Sequence, residues 1–324
     1  MLLKNKINTY FTLLSILIIS IIYGFYVGEG FYGYSNDYYA EYYRSNLVYP
    51  SIREKLGSYL STLTINKLHI GVHLTSFFLA FSSGMLLRAF FNIKAQNSTI
   101  VFLFIYIVIL HTHPIIMSTS GAMRQGWTMV FIFFSLSALL EDNKFLSFFF
   151  ILISVFFHKS GLFYFMIYLV MLINLNIHKR FRYKKFLLII MGIFFFVFCC
   201  YGLFVTGWSS STKHRIIAGD FRYLWLLVNF IYIFFYFYNF HIKLSNPIKN
   251  VAIFLYFHAC SSPAFLIMGL NWQYERINMV VGIPLILLIS SYFTKKSSYL
   301  CLSLVLCMYL FLTIFQGMYT IGLT

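Results

Sequence analysis

The chain has 324 residues, of which 60% are hydrophobic, 22% aromatic and only 10% charged, and its formal net charge is +16. A soluble domain carries about 25% charged residues, so a water-soluble globular fold is excluded. The basic residues are scattered among the loops rather than gathered on one soluble face, which excludes nucleic acid and makes them topology signals, with some left over for an anionic ligand.

Apolar runs long enough to cross a hydrocarbon core of ~30 Å recur along the chain. The expected fold is an all-α, polytopic transmembrane bundle of about 11 helices (range ~10–12) with a cytoplasmic N-terminus. It forms one integral-membrane domain over 1–324. The five cysteines all lie in apolar segments without metal-ligand spacing. They read as small core residues, with no disulfide and no metal. No small-residue cleavage site follows the greasy run near the N-terminus, so residues 1–24 are a retained helix.

Lys4 and Lys6 precede the first span (about 7–23), which leads outward to an external section over 24–66. That section is rich in tyrosine, carries Asp37 and Glu41, and contains a candidate interfacial helix near 51–63. Spans follow at about 68–91, 99–117 and 120–140, the second delivering His111 and His113 and the third opening with Arg124-Gln125. The next apolar run, 145–157, covers only ~20 Å at 1.5 Å per residue. It either continues through His158-Lys159 or breaks below the surface; both put His158 at or inside the membrane boundary. A span at 160–177 ends in the basic block 178–185. Spans at 186–206, 221–241, 250–268, 277–293 and 298–319 complete the path, with external loops at 207–220 and 269–276. This path puts fourteen of the 24 Lys and Arg on the cytoplasmic side and ten outside, a modest bias in the direction of the positive-inside rule that leaves the outer side unusually basic.

The polar groups left on the outer face come from distant parts of the chain. They are Asp37, Glu41, His111, His113, Arg124-Gln125, His158-Lys159, Lys213-His214-Arg215 and Glu275-Arg276. Tyrosines at a boundary are commonly an aromatic belt, Lys213 and Arg215 read as solvated loop charges, and His111 and His113 could cap their helix before Pro114. Arg124, His158 and Arg276 each lie against a full apolar run with no opposite charge at helical spacing, so they are the foremost candidates. Guanidinium groups grip phosphate oxygens bidentately and can stabilise charge on a departing pyrophosphate. A histidine or carboxylate beside them can take a proton from a hydroxyl. Tyrosines and Trp272 can stack on sugar rings.

An Arg-Gln pair opening an apolar helix, followed by an apolar segment ending in His158 and a second apolar run, resembles the EpsG-like branch of Wzy polysaccharide polymerases. Asp37-Tyr38-Tyr39 in the early external segment and Glu275-Arg276 before a helix containing Pro284 fit the same pattern, as does the chain length. Ser35-Asn36 stands where the family often has Gly or Thr before its early Asp, and Lys159 intervenes between His158 and Ser160. The resemblance implies a glycosyltransferase of the bacterial inner membrane with its site on the periplasmic side. It would move a growing O-antigen, capsule or exopolysaccharide chain from undecaprenyl pyrophosphate to the acceptor sugar of another lipid-linked repeat unit. No cofactor or metal is implied; the partners implied are the undecaprenyl-pyrophosphate-linked oligosaccharide, membrane lipids and a chain-length regulator protein. In that reading Arg124 and Arg276 hold the pyrophosphate with Gln125 orienting it. His158 is the candidate base, and Asp37 or Glu41 its rival. Lys159, Arg215, Trp272 and Glu275 complete the expected substrate-binding set. The competing functions are a flippase for lipid-linked oligosaccharide, which would line a path across the bilayer with charge, and a membrane acyltransferase served from the cytoplasm.

Overall fold

The computed structural model describes residues 2–28, 70–93, 98–116, 118–119, 123–178, 184–205, 222–238 and 245–291. Among them every regular element is helical. Four helices, Thr9–Val27, Val72–Ile93, Lys185–Val205 and Asn246–Ile267, are long and apolar enough to cross a membrane. The fold is a helical membrane bundle. The expected interfacial helix near 51–63 and the last span at 298–319 lie outside the described residues. Internal contacts separate the chain into two units, 1–165 with 299–324, and 166–298.

The first unit holds α1 (Leu2–Gly28), α2 (Ile70–Ile93), α3 (Thr99–Leu110), α4 (His113–Ile116), α5 (Met123–Leu140), α6 (Lys144–Ser154) and the start of α7 (Lys159–His178). Helix α1 packs antiparallel on α2, and His73 near the start of α2 bonds the carbonyl of Gly24 at 3.0 Å. Buried hydroxyls join the helices where no water can reach. Tyr106 of α3 donates to the Ala80 carbonyl of α2 at 2.9 Å and lies 2.9 Å from Ser20 of α1. Tyr23 donates to the Leu110 carbonyl. In an apolar medium an unpaired hydroxyl is costly, so these bonds fix register as well as partner.

Helix α5 ends where the sequence turns acidic. Asp142 takes a positive φ of 59°; Asn143 N–H bonds the Ala138 carbonyl and Asp142 N–H that of Leu139. This pair of bonds satisfies carbonyls the helix end would otherwise strand. Asn143 then caps α6, accepting from Leu146 N–H at 3.0 Å. Helix α6 is only 11 residues long, so it advances ~16 Å, about half of a ~30 Å core. It stops at Ser154, a turn spans 155–157, and α7 starts at Lys159. Of the two sequence alternatives, the broken one is found.

The third expected span also breaks early. Helix α3 ends at Leu110, and the single turn α4 replaces its last stretch.

The second unit takes the remainder of α7 with α8 (Lys184–Val205), α9 (Arg222–Tyr238), α10 (Asn246–Ser261), α11 (Pro263–Ile267) and α12 (Asn271–Ser291). Pro247 sits in the first turn of α10, where its missing N–H costs nothing. Pro263 interrupts the ladder between α10 and α11 for the same chemical reason. Gly269, at φ 74°, terminates α11, with Leu270 and Gly269 N–H groups bonded to the Phe265 and Leu266 carbonyls. The expected external loop 269–276 is therefore shorter than sequence indicated. Helix α12 starts at Asn271 and takes in Trp272, Glu275 and Arg276, because Gly269 reverses the chain tightly enough for the helix to begin at once. Likewise α1 extends through Gly28, shortening the expected external section at 24.

Candidate functional site

Helices α5 and α6 are antiparallel in a register that hydroxyl groups define. Ser135 and Ser147 oxygens lie 2.8 Å apart. Seven residues back along α5 and seven onward along α6, Thr128 bonds the Ser154 carbonyl at 3.5 Å. Seven residues is close to two turns, so the same faces meet twice. Arg124 lies one turn before Thr128 on α5, and His158 follows Ser154 by four residues, beyond the end of α6. Two sites separated by 33 residues of almost unbroken apolar sequence thus share one end of the first unit.

Packing beneath this end is aromatic. Trp127 stacks on Phe157 at 5.6 Å and meets Phe78 of α2 at 5.4 Å, and Phe131 stacks on Phe157 at 5.0 Å. Two glycines let the backbone close in. A Cβ on Gly126 would strike the Ser118 carbonyl, and one on Gly161 would strike that of Ser154. Each follows a candidate residue by two or three positions, so the close approaches fix the turns that carry Arg124 and His158. Gln125 is 1% exposed, a buried amide beside Arg124. Lys159 is exposed and Ser160 buried.

His111 and His158 are held differently. His111 caps α3, its Nδ1 donating to the Ile107 carbonyl at 2.8 Å, so a neutral ring keeps its lone pair at Nε2. His158 precedes α7 and accepts: Ser160 N–H points at its Nδ1 at 3.2 Å, with the Ser160 hydroxyl oxygen 2.9 Å away. Tyr23 meets His111 edge-on at 6.4 Å.

In the second unit Glu275 and Arg276 lie on the second turn of α12, the former buried and the latter half-buried. Trp272 occupies the turn before them. The other expected site residues, Asp37, Glu41 and Arg215, lie outside the described residues.

Sequence reasoning missed a polar cluster beside Glu275-Arg276. Asn229 of α9 donates from Nδ2 to Asn278 Oδ1 at 2.8 Å, with Ser262 Oγ at 3.0 Å and the Tyr274 hydroxyl at 3.3 Å. His258 of α10 donates from Nε2 to the same Asn278 oxygen at 3.1 Å. Asn278 Nδ2 donates to the Tyr274 carbonyl at 2.8 Å. All five residues are buried. The signal was present: His258, Asn229 and Asn278 interrupt apolar helices, and intramembrane polar residues are kept for a reason. No group of three or more His, Cys, Asp or Glu that could hold a metal occurs among the described residues.

The model of the EpsG family matches residues 9–322. No curated protein and no solved structure matches the chain.

Proposed function

The chain belongs to the EpsG family, a family of membrane enzymes of polysaccharide biosynthesis, and from that premise we propose that it is a repeat-unit polymerase. Its donor is a glycan carried on a polyprenyl pyrophosphate, undecaprenyl pyrophosphate in bacteria, and its acceptor is the sugar hydroxyl of another lipid-linked unit. The reaction takes place on the periplasmic face of the inner membrane, and the product is an O-antigen, capsule or exopolysaccharide chain.

The observation that supports this reading best is the break of α6 at half its expected span, which leaves His158 at the end of the first unit where α5 begins with Arg124-Gln125. A lipid-linked pyrophosphate brings its charge to the membrane boundary, where a cation half-sunk in apolar surroundings binds it more strongly than in water. Arg124, with Gln125 beside it, and Arg276 are each candidates for gripping its oxygens. Glu41, Lys159, Arg215, Trp272 and Glu275 contact the sugars or phosphates around that core. As the acceptor oxygen bonds to the anomeric carbon, the carbon–oxygen bond to pyrophosphate breaks and its electron pair leaves on the pyrophosphate oxygen. The acceptor's proton goes to a base, for which Asp37, Glu41, His111 and His158 are the candidates.

Deleting the gene and running the cell's lipopolysaccharide or capsule on a gel tests the function. A polymerase predicts collapse of the ladder to a single-unit band, restored by the wild-type gene. Complete loss of the glycan would identify a flippase, and an unchanged ladder a decorating acyltransferase.

A further inference from the structure

We propose that His73 is the base of the reaction, taking the acceptor hydroxyl's proton at Nε2; this rests on the polymerase reading above. A backbone carbonyl has lone pairs and no proton, so the Gly24 oxygen 3.0 Å from Nδ1 makes that nitrogen the donor. A neutral ring then keeps its lone pair at Nε2, the form that accepts a proton. Among the described residues the Gly24 carbonyl and the ring of Phe25, 5.9 Å away, are the partners of this imidazole. Nothing among them bonds Nε2, and the side chain is only half-buried.

The local fold keeps the ring in this orientation. Gly24 lets α1 and α2 approach closely: a Cβ there would lie 3.1 Å from the Phe77 Cβ and 3.2 Å from the His73 carbonyl. With the helices that near, the Nδ1 proton stays on the Gly24 oxygen while Nε2 gains a second one. That bond strengthens as its donor becomes charged, so the fold supports the imidazolium it has to form.

Position agrees with the role. Helices α2 and α5 run parallel: Phe78 meets Trp127 at 5.4 Å, Phe81 meets Phe134 at 6.2 Å, and Ser137 donates to the Met85 carbonyl at 3.3 Å. The Thr75 methyl lies 3.2 Å from where a Cβ on Gly126 would be. This register brings His73 to the level at which the α5 backbone carries Arg124, both positions being inside their helices. His73 and Thr75, two residues apart, leave α2 about 200° from each other. Thr75 meets α5 and His73 meets α1, so the width of α2, about 10 Å, lies between the base and the start of α5. His73 is in the first turn of α2, and a sugar lying across that helix start reaches both sides. Displacement with inversion sets the attacking and leaving oxygens on opposite faces of the sugar, and a separation of this order between the two supporting groups leaves room for the acceptor. As the acceptor oxygen bonds to the anomeric carbon and the pyrophosphate leaves with its electron pair, the hydroxyl proton passes to Nε2. The imidazolium releases it to water between turnovers.

Three substitutions separate a base from a contact and from a filler. The full-length protein is reconstituted in liposomes with lipid-linked repeat units extracted from the deletion strain, and chain extension is followed. H73N keeps an amide N–H for the Gly24 carbonyl and has nothing at Nε2; it should extend chains about a hundredfold more slowly at unchanged Tm. H73Q places at Nε2 an amide that hydrogen-bonds but takes no proton, and it should be as slow. In H73A, added imidazole should restore part of the rate, with substituted imidazoles acting in order of their basicity. Farnesyl pyrophosphate should bind H73N as it binds wild type, because this side chain does not touch the leaving group. An active H73Q would make His73 a contact only, and restoration indifferent to basicity would make it a filler. Several-fold weaker binding would move it to the pyrophosphate, and an active H73N beside an inactive H111N would move the base to His111; each of these overturns the proposal. Wild-type protein that extends no chains would defeat the polymerase reading and this assignment with it, whereas wild type and H73N extending chains alike would defeat the assignment alone.

Discussion

Asn229 and Asn278, 49 residues apart, share a hydrogen bond of 2.8 Å in the middle of an otherwise apolar packing of α9 against α12. The bond does more than satisfy two amides. Tyr274 and Asn278 are four residues apart and lie on one face of α12, while Arg276 between them points about 200° away from each. Holding that face against α9 and α10 sets the rotation of α12 and with it the direction in which Arg276 leaves the helix. N278L and H258L should each lower stability by about 1–3 kcal/mol, since either strands buried partners. The double variant should lose less than the sum, because both act on the same oxygen. Thermal unfolding in detergent measures both terms; strict additivity would mean the His258–Asn278 contact contributes nothing.

Glycines give a sharper contrast. G126A and G161A each push a methyl group into a carbonyl oxygen, so both should lower Tm and shorten the polymer ladder. Gly202 on α8 has open space where its Cβ would be. There alanine only gains helix propensity, up to about 1 kcal/mol. G202A should therefore match or exceed wild type in Tm with an unchanged ladder. A fall in either quantity would contradict this picture of the helix surface.

At the turn between α5 and α6 two neighbouring residues should respond with opposite signs. Asp142 holds a left-handed backbone that glycine adopts freely, so D142G is expected to be neutral or to stabilise by several tenths of a kcal/mol. N143A removes the side-chain acceptor for Leu146 N–H and should cost about 1 kcal/mol. Both lie at the end of α5 away from Arg124, so the ladder should be normal in each.

The two arginines are expected to differ from lysine in kind. Lysine is a point charge and cannot bind two phosphate oxygens in a fork. R124A and R276A should abolish extension, and R124K and R276K should leave a shortened ladder. Normal ladders from both alanine variants would remove the pyrophosphate assignment altogether.

Much of this was readable from the amino acids. The polar gaps between apolar runs put most helix ends within a few residues of their place. The break at His158 was legible because 13 apolar residues are too few to cross. What escaped was tertiary. Nothing in the sequence reports that Thr128 and Ser135 meet Ser154 and Ser147 in one register. The cluster around Asn278 escaped because each polar residue, taken alone on an apolar helix, reads as tolerable; only their convergence from α9, α10 and α12 gives it meaning. The orientation of His158 was likewise invisible, since it depends on which way one backbone N–H points.

The shortness of α6 makes bilayer thickness a control variable. A helix of 11 residues followed by a polar break cannot match a full hydrocarbon slab, so the membrane must thin or dip beside it, at fractions of a kcal/mol per Å. Lipids with shorter acyl chains relieve that strain and leave the break at the water boundary. Longer chains draw it into oil, where a pyrophosphate would have to shed its hydration to follow. Chain extension should then fall as acyl length rises, at constant protein and substrate, which turns lipid composition into an adjustable gate on polymer growth.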